Sequence, residues 1–183
     1  MSTADDGRGL PHRGHWLGSD YLDDAFDPDS VVADARTHLR AAGVRCDTLV
    51  GTGLSGALII PILARELGVD YAIVRAPGPC NHARTRVEGF LGSSWLFVDD
   101  HISTGHTFRY VYRAITDIAR EHSILTTLVG SFCYQAALRE REPVLPATTL
   151  YSRYLQSLNR LPRNQAQNAA ASAIGIRRSR RNC

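Results

Sequence analysis

The stretch that decides the fold is WLFVDDHISTGHTF, from Trp95 to Phe108. An apolar run with the character of a buried strand ends in two adjacent acids, Asp99 and Asp100, and a turn of hydroxyl residues around one glycine follows. His106 then opens a segment whose apolar residues recur at helical spacing to about Glu121. A strand, a polar turn and a helix in this order are typical of an α/β fold built on a parallel sheet.

The same alternation extends to both sides of this stretch. Strands are predicted over residues 47–51, 71–75, 94–100 and 124–132, and helices over residues 28–42, 53–68 and 106–121. Asp27 and Pro28 form a helix start, and Pro61 predicts a kink or a late start of the second helix. A short helix over 134–142 and a short strand over 147–151 are expected. The fold class is therefore α/β, a parallel sheet flanked by helices.

The length and composition of the chain limit the classes of function that it can have. The 183 residues suit one domain, expected over 1–160, with 161–183 as an Arg-rich flexible tail. The tail is the one place where a nucleic-acid contact is conceivable. No apolar run is long enough for a membrane span, and residues 1–16 lack the apolar segment of a signal peptide, so a cytoplasmic location is expected. All 21 basic residues are arginine, which excludes a Walker-type or Schiff-base lysine.

The turn after the two acids has the features of a phosphate cup. The N–H groups at a helix start have no partners within the helix, and the helix dipole favours an anion there. Hydroxyl groups can add hydrogen bonds, and a glycine lets the backbone approach a ligand closely. The cup, sized for one phosphate group, consists of Ser103, Thr104, Gly105, His106 and Thr107.

The two acids suit a ligand that lies one sugar away from this phosphate. Asp99 and Asp100 can accept hydrogen bonds from the two vicinal hydroxyls of a ribose, and they can also hold a hard cation such as magnesium. The acids and the cup together are spaced to hold opposite ends of a ribose 5-phosphate.

A second glycine-rich turn supports a rival interpretation. Residues 51–56, GTGLSG, match the GxGxxG dinucleotide-binding fingerprint between a strand and a helix. That fingerprint also requires an acid at the end of the second strand, where this chain has Arg75. An arginine could accommodate a ribose phosphate, so an NAD(P)-dependent oxidoreductase stays an alternative, as does a tight turn with close helix packing.

In its order of motifs the chain resembles the type I phosphoribosyltransferases over residues 44–132. VDDHISTGHT is similar to the signature of that family, in which a strand ends in two acids before a Thr-Gly phosphate loop. Residues 51–56 stand where the family has its pyrophosphate loop. Asn81, His82 and residues 87–89 are similar to the mobile loop and Glu-Gly of orotate phosphoribosyltransferases.

The resemblance implies transfer of ribose 5-phosphate from phosphoribosyl pyrophosphate (PRPP) to a nitrogen of a nucleobase, with magnesium as cofactor and release of pyrophosphate. It implies a catalytic role for Asp99 and Asp100, which would also hold the metal, and for His82 and Arg84 of the mobile loop. It places the 5-phosphate in the cup of residues 103–107. The pyrophosphate-binding residues would be Thr52, Gly53, Leu54, Ser55 and Arg75.

The resemblance further implies a homodimer and a small hood over the base, formed by residues 1–26 and 133–160 around a core of 27–132. The chain departs from the family at Ala76, where a lysine is usual, and in having no lysine in the loop. A PRPP-binding regulatory protein with weak or no catalysis is therefore the second interpretation. Ser103 replaces the aspartate of hypoxanthine/guanine enzymes, which leaves orotate-like and adenine-like acceptors open.

Overall fold

The computed structural model describes residues 21–75, 85–138 and 141–156, and its centre is a six-stranded sheet. The strands are β1 (Thr48–Thr52), β2 (Asp70–Val74), β3 (Val87–Gly89), β4 (Ser94–Asp99), β5 (Thr127–Cys133) and β6 (Val144–Pro146). They lie in the order β3-β2-β1-β4-β5-β6. Four of the five strands predicted from the sequence are present, each within three residues of its predicted bounds.

The central part of the sheet is parallel, as predicted. Strand β1 pairs in parallel with β2 and β4, and β4 pairs in parallel with β5. The two edge strands, β3 and β6, run antiparallel to their neighbours and were not predicted. Each is only three residues long, so neither carries a periodic pattern that a sequence reading can detect.

Helices cover both faces of the sheet. They are α1 (Tyr21–Phe26), α2 (Pro28–Ala41), α3 (Gly53–Leu67), α4 (His106–Glu121), α5 (Tyr134–Leu138) and α6 (Ala147–Leu150), and a π-helical turn (Tyr151–Leu155) follows directly. Among the helices in the described part of the chain, none combines the length and the apolar character that crossing a bilayer requires.

Two apolar cores form because alternate residues of a strand point to opposite faces of the sheet. Leu49 of β1 and Leu96 of β4 pack with α2 and α3 on one face. Their neighbours Val50 and Phe97 pack with α4 and the π-helical turn on the other face. The central strands are buried on both faces, which explains why they appear in the sequence as continuous apolar runs.

Four local predictions differ from the structure. The short helix predicted over 134–142 is α5, Tyr134–Leu138, and residues 141 and 142 are not helical. The strand predicted over 147–151 is wrong: this segment is α6 and the start of the π-helical turn, and its β-branched Thr148 and Thr149 carry only a weak strand preference. Pro61 does not delay α3, which begins at Gly53 and contains the proline. Helix α2 begins at Pro28 as predicted, but the side chain of Asp27 makes no capping hydrogen bond.

The strand order places a switch point at the centre of the sheet. From β1 the chain crosses through α3 to β2 on one side, and from β4 it crosses through α4 to β5 on the other side. The carboxyl ends of β1 and β4 therefore open into a crevice between the two crossovers, where α/β sheets bind ligands.

Candidate functional site

A cleft of about 700 Å³ lies at this switch point. It is lined by Thr52, Gly53, Ser55, Asp99, Asp100, His101, Ile102, Ser103, Thr104, Gly105, His106, Thr107, Phe108 and Tyr110. The structure thus brings the predicted cup, both acids and three of the four predicted residues of the first turn to one cavity, although the two turns are about 45 residues apart in sequence.

The predicted cup stands at the N-terminus of the 16-residue helix α4. Gly105 precedes the first helical residue and has φ 70°, a conformation that favours glycine. Among the described residues no side chain caps the helix, so its first N–H groups are available to a ligand. Ser103 and Thr104 are exposed, and the guanidinium of Arg109 donates a hydrogen bond of 3.2 Å to the carbonyl of Thr104. The loop is therefore held by Arg109 on one side, and its hydroxyl side chains are exposed on the other.

The first glycine-rich turn leads directly into the 15-residue helix α3, whose N-terminus borders the same cleft. Gly53 has φ 68°, whereas Gly51 and Gly56 serve helix–strand packing. A β-carbon on Gly51 would lie 2.4 Å from Cδ1 of Ile60 and 2.7 Å from the carbonyl of Val98. The close packing of β1 against α3 accounts for these two glycines of the GxGxxG pattern without a dinucleotide.

Thr52 and Ser55 of this turn already have intramolecular partners. The hydroxyl of Thr52 donates to the carbonyl of Val74 and ties β1 to β2. The hydroxyl of Ser55 donates to Oδ1 of Asp99 at 3.0 Å. Leu54 does not line the cleft, and its side chain is 56% exposed. In this turn the groups free to meet a ligand are thus backbone N–H groups at the start of α3.

Asp99 is a buried acid at the floor of the cleft, with 5% of its surface exposed. Its Oδ1 accepts hydrogen bonds from Ser55 and, at 3.1 Å, from the backbone N–H of Asp100. Burial first, and the neighbouring Asp100 carboxyl second, together raise the pKa of Asp99 from 3.8 to about 7, although the hydrogen bonds from Ser55 and from the backbone of Asp100 oppose the shift. Two carboxylates this close repel each other when both are ionised. A cation or hydroxyl donors in the cleft would reduce this repulsion.

The donor set fits magnesium held jointly with a ligand. Magnesium binds through one or two carboxylates and completes its octahedron with water and phosphate oxygens. Asp99 and Asp100 supply such carboxylates, and in the described ranges no group of three or more potential ligands exists that would form an all-protein site. A divalent charge would also lower the pKa of Asp99 towards its ordinary value.

Arg75 lies outside the cleft lining, in an ion pair. Its Nε and Nη2 both lie 2.9 Å from Oε2 of Glu88, and the two side chains are 40% and 45% exposed. Its backbone N–H donates to the carbonyl of Arg86, and its own carbonyl accepts from the hydroxyl of Tyr110. This predicted pyrophosphate ligand is therefore tethered next to the cleft and directed to a carboxylate. His82 and Arg84, the other two predicted cations, lie outside the described residues.

Three residues that line the first cleft, Ile102, Phe108 and Tyr110, were not predicted from the sequence as site residues. Tyr110 lies one helical turn after His106, and its hydroxyl also accepts a hydrogen bond of 3.1 Å from Nε of Arg86. The four-residue spacing from His106 was the available signal. Ile102 separates the acids from the cup and packs against the core of the α4 face.

A second cleft, of about 460 Å³, adjoins the first. His101 and Ile102 border both clefts. The second cleft is otherwise lined by Cys133, Gln135, Ala136, Arg141, Glu142, Leu145, Arg153 and Tyr154. The backbone N–H of Gln135 donates to the carbonyl of Asp100 at 3.1 Å, which joins the two clefts through the main chain.

No protein-family model matches the chain, and no curated protein sequence is significantly similar to it. Among solved structures, the chain is similar to adenine phosphoribosyltransferase from Saccharomyces cerevisiae, with 27% identity and a TM-score of 0.41. That alignment covers 58% of this chain and 66% of the yeast chain, just under two thirds of its length.

Two further solved structures belong to the same class. Orotate phosphoribosyltransferase from Mycobacterium tuberculosis, in complex with PRPP, is 17% identical over 67% of this chain and 72% of its own, with a TM-score of 0.48. Adenine phosphoribosyltransferase from Thermoanaerobacter pseudethanolicus is 20% identical over 62% and 70% of the two chains, with a TM-score of 0.43. All three are of the class indicated by the motifs in residues 44–132. The likeness is partial, so the activity of this chain is inferred below from its own site residues.

Proposed function

We propose that this protein is a phosphoribosyltransferase, which transfers ribose 5-phosphate from PRPP to a ring nitrogen of a nucleobase-like acceptor. One observation carries the proposal: the N-termini of α3 and α4 border a single cleft, with Asp99 and Asp100 between them. Two helix N-termini favour two anionic groups, and two carboxylates favour hydroxyls or a cation. PRPP carries phosphate groups at both ends of a sugar with two vicinal hydroxyls, and it matches this order of charges.

The cleft supports the following course of reaction. The 5-phosphate occupies the cup of residues 103–107, and Asp99 and Asp100 accept hydrogen bonds from the ribose hydroxyls. The pyrophosphate lies against the backbone N–H groups at the start of α3. The bond from the anomeric carbon to pyrophosphate breaks, and the acceptor nitrogen forms a new bond to that carbon and loses its proton. The protein contributes by positioning and by electrostatics, because positive charge builds on the sugar.

Magnesium is part of the proposal as a partner of the leaving pyrophosphate. The carboxylates of Asp99 and Asp100 would hold it, directly or through water, together with oxygens of the substrate. When bound, the metal neutralises charge on the leaving group. The homodimer and the cytoplasmic location expected from the sequence stay predictions.

The second cleft is proposed as the acceptor site. It meets the first at His101 and Ile102, next to the place assigned to the sugar. Gln135 is 8% exposed and lines this cleft, and its amide can both donate to and accept from the polar edge of a planar base. His101 borders both clefts, so its imidazole is placed to accept the proton that the acceptor nitrogen loses.

A second candidate function, a PRPP-binding regulatory protein with little catalysis, is favoured by the placement of Arg75. Within the described residues, no arginine lines the first cleft, and the only cationic side chains that can form there are His101 and His106. A leaving pyrophosphate would need a stronger counter-charge. No observation favours the oxidoreductase alternative, because the glycines at 51 and 56 are explained by packing.

Substitution of Arg75 tests whether this residue supplies the counter-charge that a leaving pyrophosphate needs. An exposed ion pair stabilises a fold by at most about 1 kcal/mol, so breaking it costs little. If Arg75 moves to the leaving group, Arg75→Ala should weaken pyrophosphate binding by about tenfold, and Glu88→Gln should strengthen it a fewfold by freeing the guanidinium. Calorimetric titration with magnesium pyrophosphate measures both. Unchanged binding in Arg75→Ala would assign Arg75 to a structural ion pair.

The decisive experiment on function is release of pyrophosphate from PRPP with magnesium. Orotate, uracil, adenine, guanine, hypoxanthine and nicotinamide are supplied in parallel, and an Asp99→Asn/Asp100→Asn double variant is the control. We expect release with one of these acceptors and none from the control, because the ribose hydroxyls and the metal lose their partners.

Two other outcomes redirect the assignment. PRPP binding detected by calorimetry without release for any acceptor supports the regulatory protein. Absence of both binding and release would contradict the assignment of residues 103–107 as a phosphate cup.

A further inference from the structure

The π-helical turn at residues 151–155 is firmly anchored in the core. Leu150, just before the turn, and Leu155, at its end, are both buried in the core on the α4 face of the sheet. Because both ends are held, the turn between them has a defined position on the α4 face of the sheet. Helical turns of this kind are rare and occur frequently at functional sites.

One side chain of the turn, Tyr154, packs directly against the phosphate loop. A β-carbon on Gly105 would lie 2.2 Å from Cδ1 and 2.7 Å from Cγ of Tyr154, so the ring rests on the glycine itself. The ring also meets Phe108, in the first turn of α4, edge-on at 6.0 Å between centroids. Tyr154 therefore contacts the loop at its central glycine and the helix that follows.

The same ring belongs to the wall of the second cleft, whereas Gly105 lines the first. A single aromatic side chain thus separates the loop assigned to the phosphate from the cleft assigned to the acceptor. In the part of the chain that the structure describes, the Tyr154 hydroxyl has no hydrogen-bond partner, so the contact with Gly105 is made by the ring.

We infer that Tyr154 is a positioning residue for the phosphate loop. Gly105 has a left-handed backbone conformation, and the ring packed on it holds the N–H groups of the loop in one arrangement before the ligand arrives. Donors that are already in place bind an anion without paying for their own ordering. The inference rests on the proposed function, because it takes the ligand of the loop to be the 5-phosphate.

Binding of ribose 5-phosphate by calorimetry tests this role. Tyr154→Leu should raise the Kd by about tenfold, equivalent to about 1.4 kcal/mol, because the loop loses its support. Tyr154→Phe keeps the ring and should change the Kd by less than about twofold. Hydrogen exchange of the amides at 105–107 should be faster in Tyr154→Leu and unchanged in Tyr154→Phe.

Tyr151→Leu is the matched control. Tyr151 lies in the same turn, is 40% exposed, and meets Tyr112 edge-on at 5.9 Å, but it lines neither cleft. Its loss removes a comparable aromatic contact away from the loop, so binding and exchange at 105–107 should stay as in the parent protein. Where Tyr154→Leu does not fold, Tyr154→Met keeps apolar bulk and takes its place.

The outcomes separate the inference from the function. Equal Kd values and equal exchange for Tyr154→Leu and Tyr151→Leu would overturn the positioning role alone, with the proposed function intact. Failure of the parent protein to bind ribose 5-phosphate would overturn both. A weaker Kd in Tyr154→Leu, restored in Tyr154→Phe, supports the inference.

Discussion

Asp99→Asn is expected to make the protein more stable at pH 8 and to reduce its transferase activity by about 100-fold or more. The pKa of Asp99 is raised to about 7 by burial and by Asp100, above its ordinary 3.8. The folded state thus holds a proton that the unfolded state releases, so stability falls as the pH rises from about 4 to about 7 and stays reduced above. An asparagine resembles the protonated acid and carries no such cost.

The stability difference should therefore grow with pH. A shift of about three pKa units corresponds to roughly 4 kcal/mol, which is an upper limit for a coupled pair. We expect the free energy of unfolding of Asp99→Asn, relative to the parent, to rise by about 2–4 kcal/mol between pH 4 and pH 8. Urea unfolding over this pH range, without metal, measures it.

Asp117→Asn controls for the loss of one negative charge, since Asp117 is exposed on α4 and, within the described residues, its side chain is bonded only to Arg120. If the difference in the free energy of unfolding between Asp99→Asn and the parent were the same at pH 4 and pH 8, the raised pKa of Asp99 would be contradicted. Retained activity would contradict the role of Asp99 at the sugar. Magnesium with PRPP should stabilise the parent and leave the variant almost unchanged, because the ligand site has lost a carboxylate.

Gly105→Ala is expected to destabilise the protein by about 2–4 kcal/mol and to abolish binding of ribose 5-phosphate. Two effects that lower the free energy of unfolding add at this position. The backbone has φ 70°, which an alanine adopts at a cost of about 1 kcal/mol. The new β-carbon would also lie 2.2 Å from the Tyr154 ring, so the loop or the π-helical turn must move. For a chain of this size the loss corresponds to a fall in Tm of about 5–15 °C.

Gly43→Ala carries only the backbone effect, so comparison with it isolates the effect of the contact with Tyr154. Gly43 follows α2 with φ 64°, and in the described part of the chain no atom beyond its two chain neighbours lies within 4 Å of the position of its β-carbon. We expect Gly43→Ala to cost only about 1 kcal/mol and to leave ligand binding unchanged. If Gly105→Ala were no less stable than Gly43→Ala in thermal unfolding, the contact between Gly105 and Tyr154 would carry no energy.

Much of the fold could be predicted from the sequence because its elements are long or strongly patterned. The central strands are continuous apolar runs, and α4 shows a regular apolar face from Phe108 to Ile115. The edge strands were missed because three residues carry no period. The segment 147–151 was wrongly predicted to be a strand. The strand preference of Thr148 and Thr149 is weak, and packing of Leu150 in the core outweighs it.

The site residues likewise fall into those that could be predicted from the sequence and those that could not. Ser103 to Thr107 and the two acids could be located because strand, acids, hydroxyls and helix start follow one another in the chain. For Arg75 the sequence was not sufficient. The family resemblance implied a ligand of the leaving group, but the unpredicted β3 brings Glu88 beside it. Gln135, near the start of α5, and Tyr154, in the π-helical turn, reach the second cleft from a part of the chain whose sequence pattern is weak.

The sequence by itself determined the order of the elements and the two glycine-rich turns, because hydrophobic periodicity and helix-start chemistry are local properties. The tertiary structure alone decided three other features. It placed the N-termini of α3 and α4 on one cleft, raised the pKa of Asp99 through burial, and set Tyr154 on Gly105. Each of these depends on contacts between residues about 45 or more positions apart, whose distances are set by how the sheet and its two cores pack.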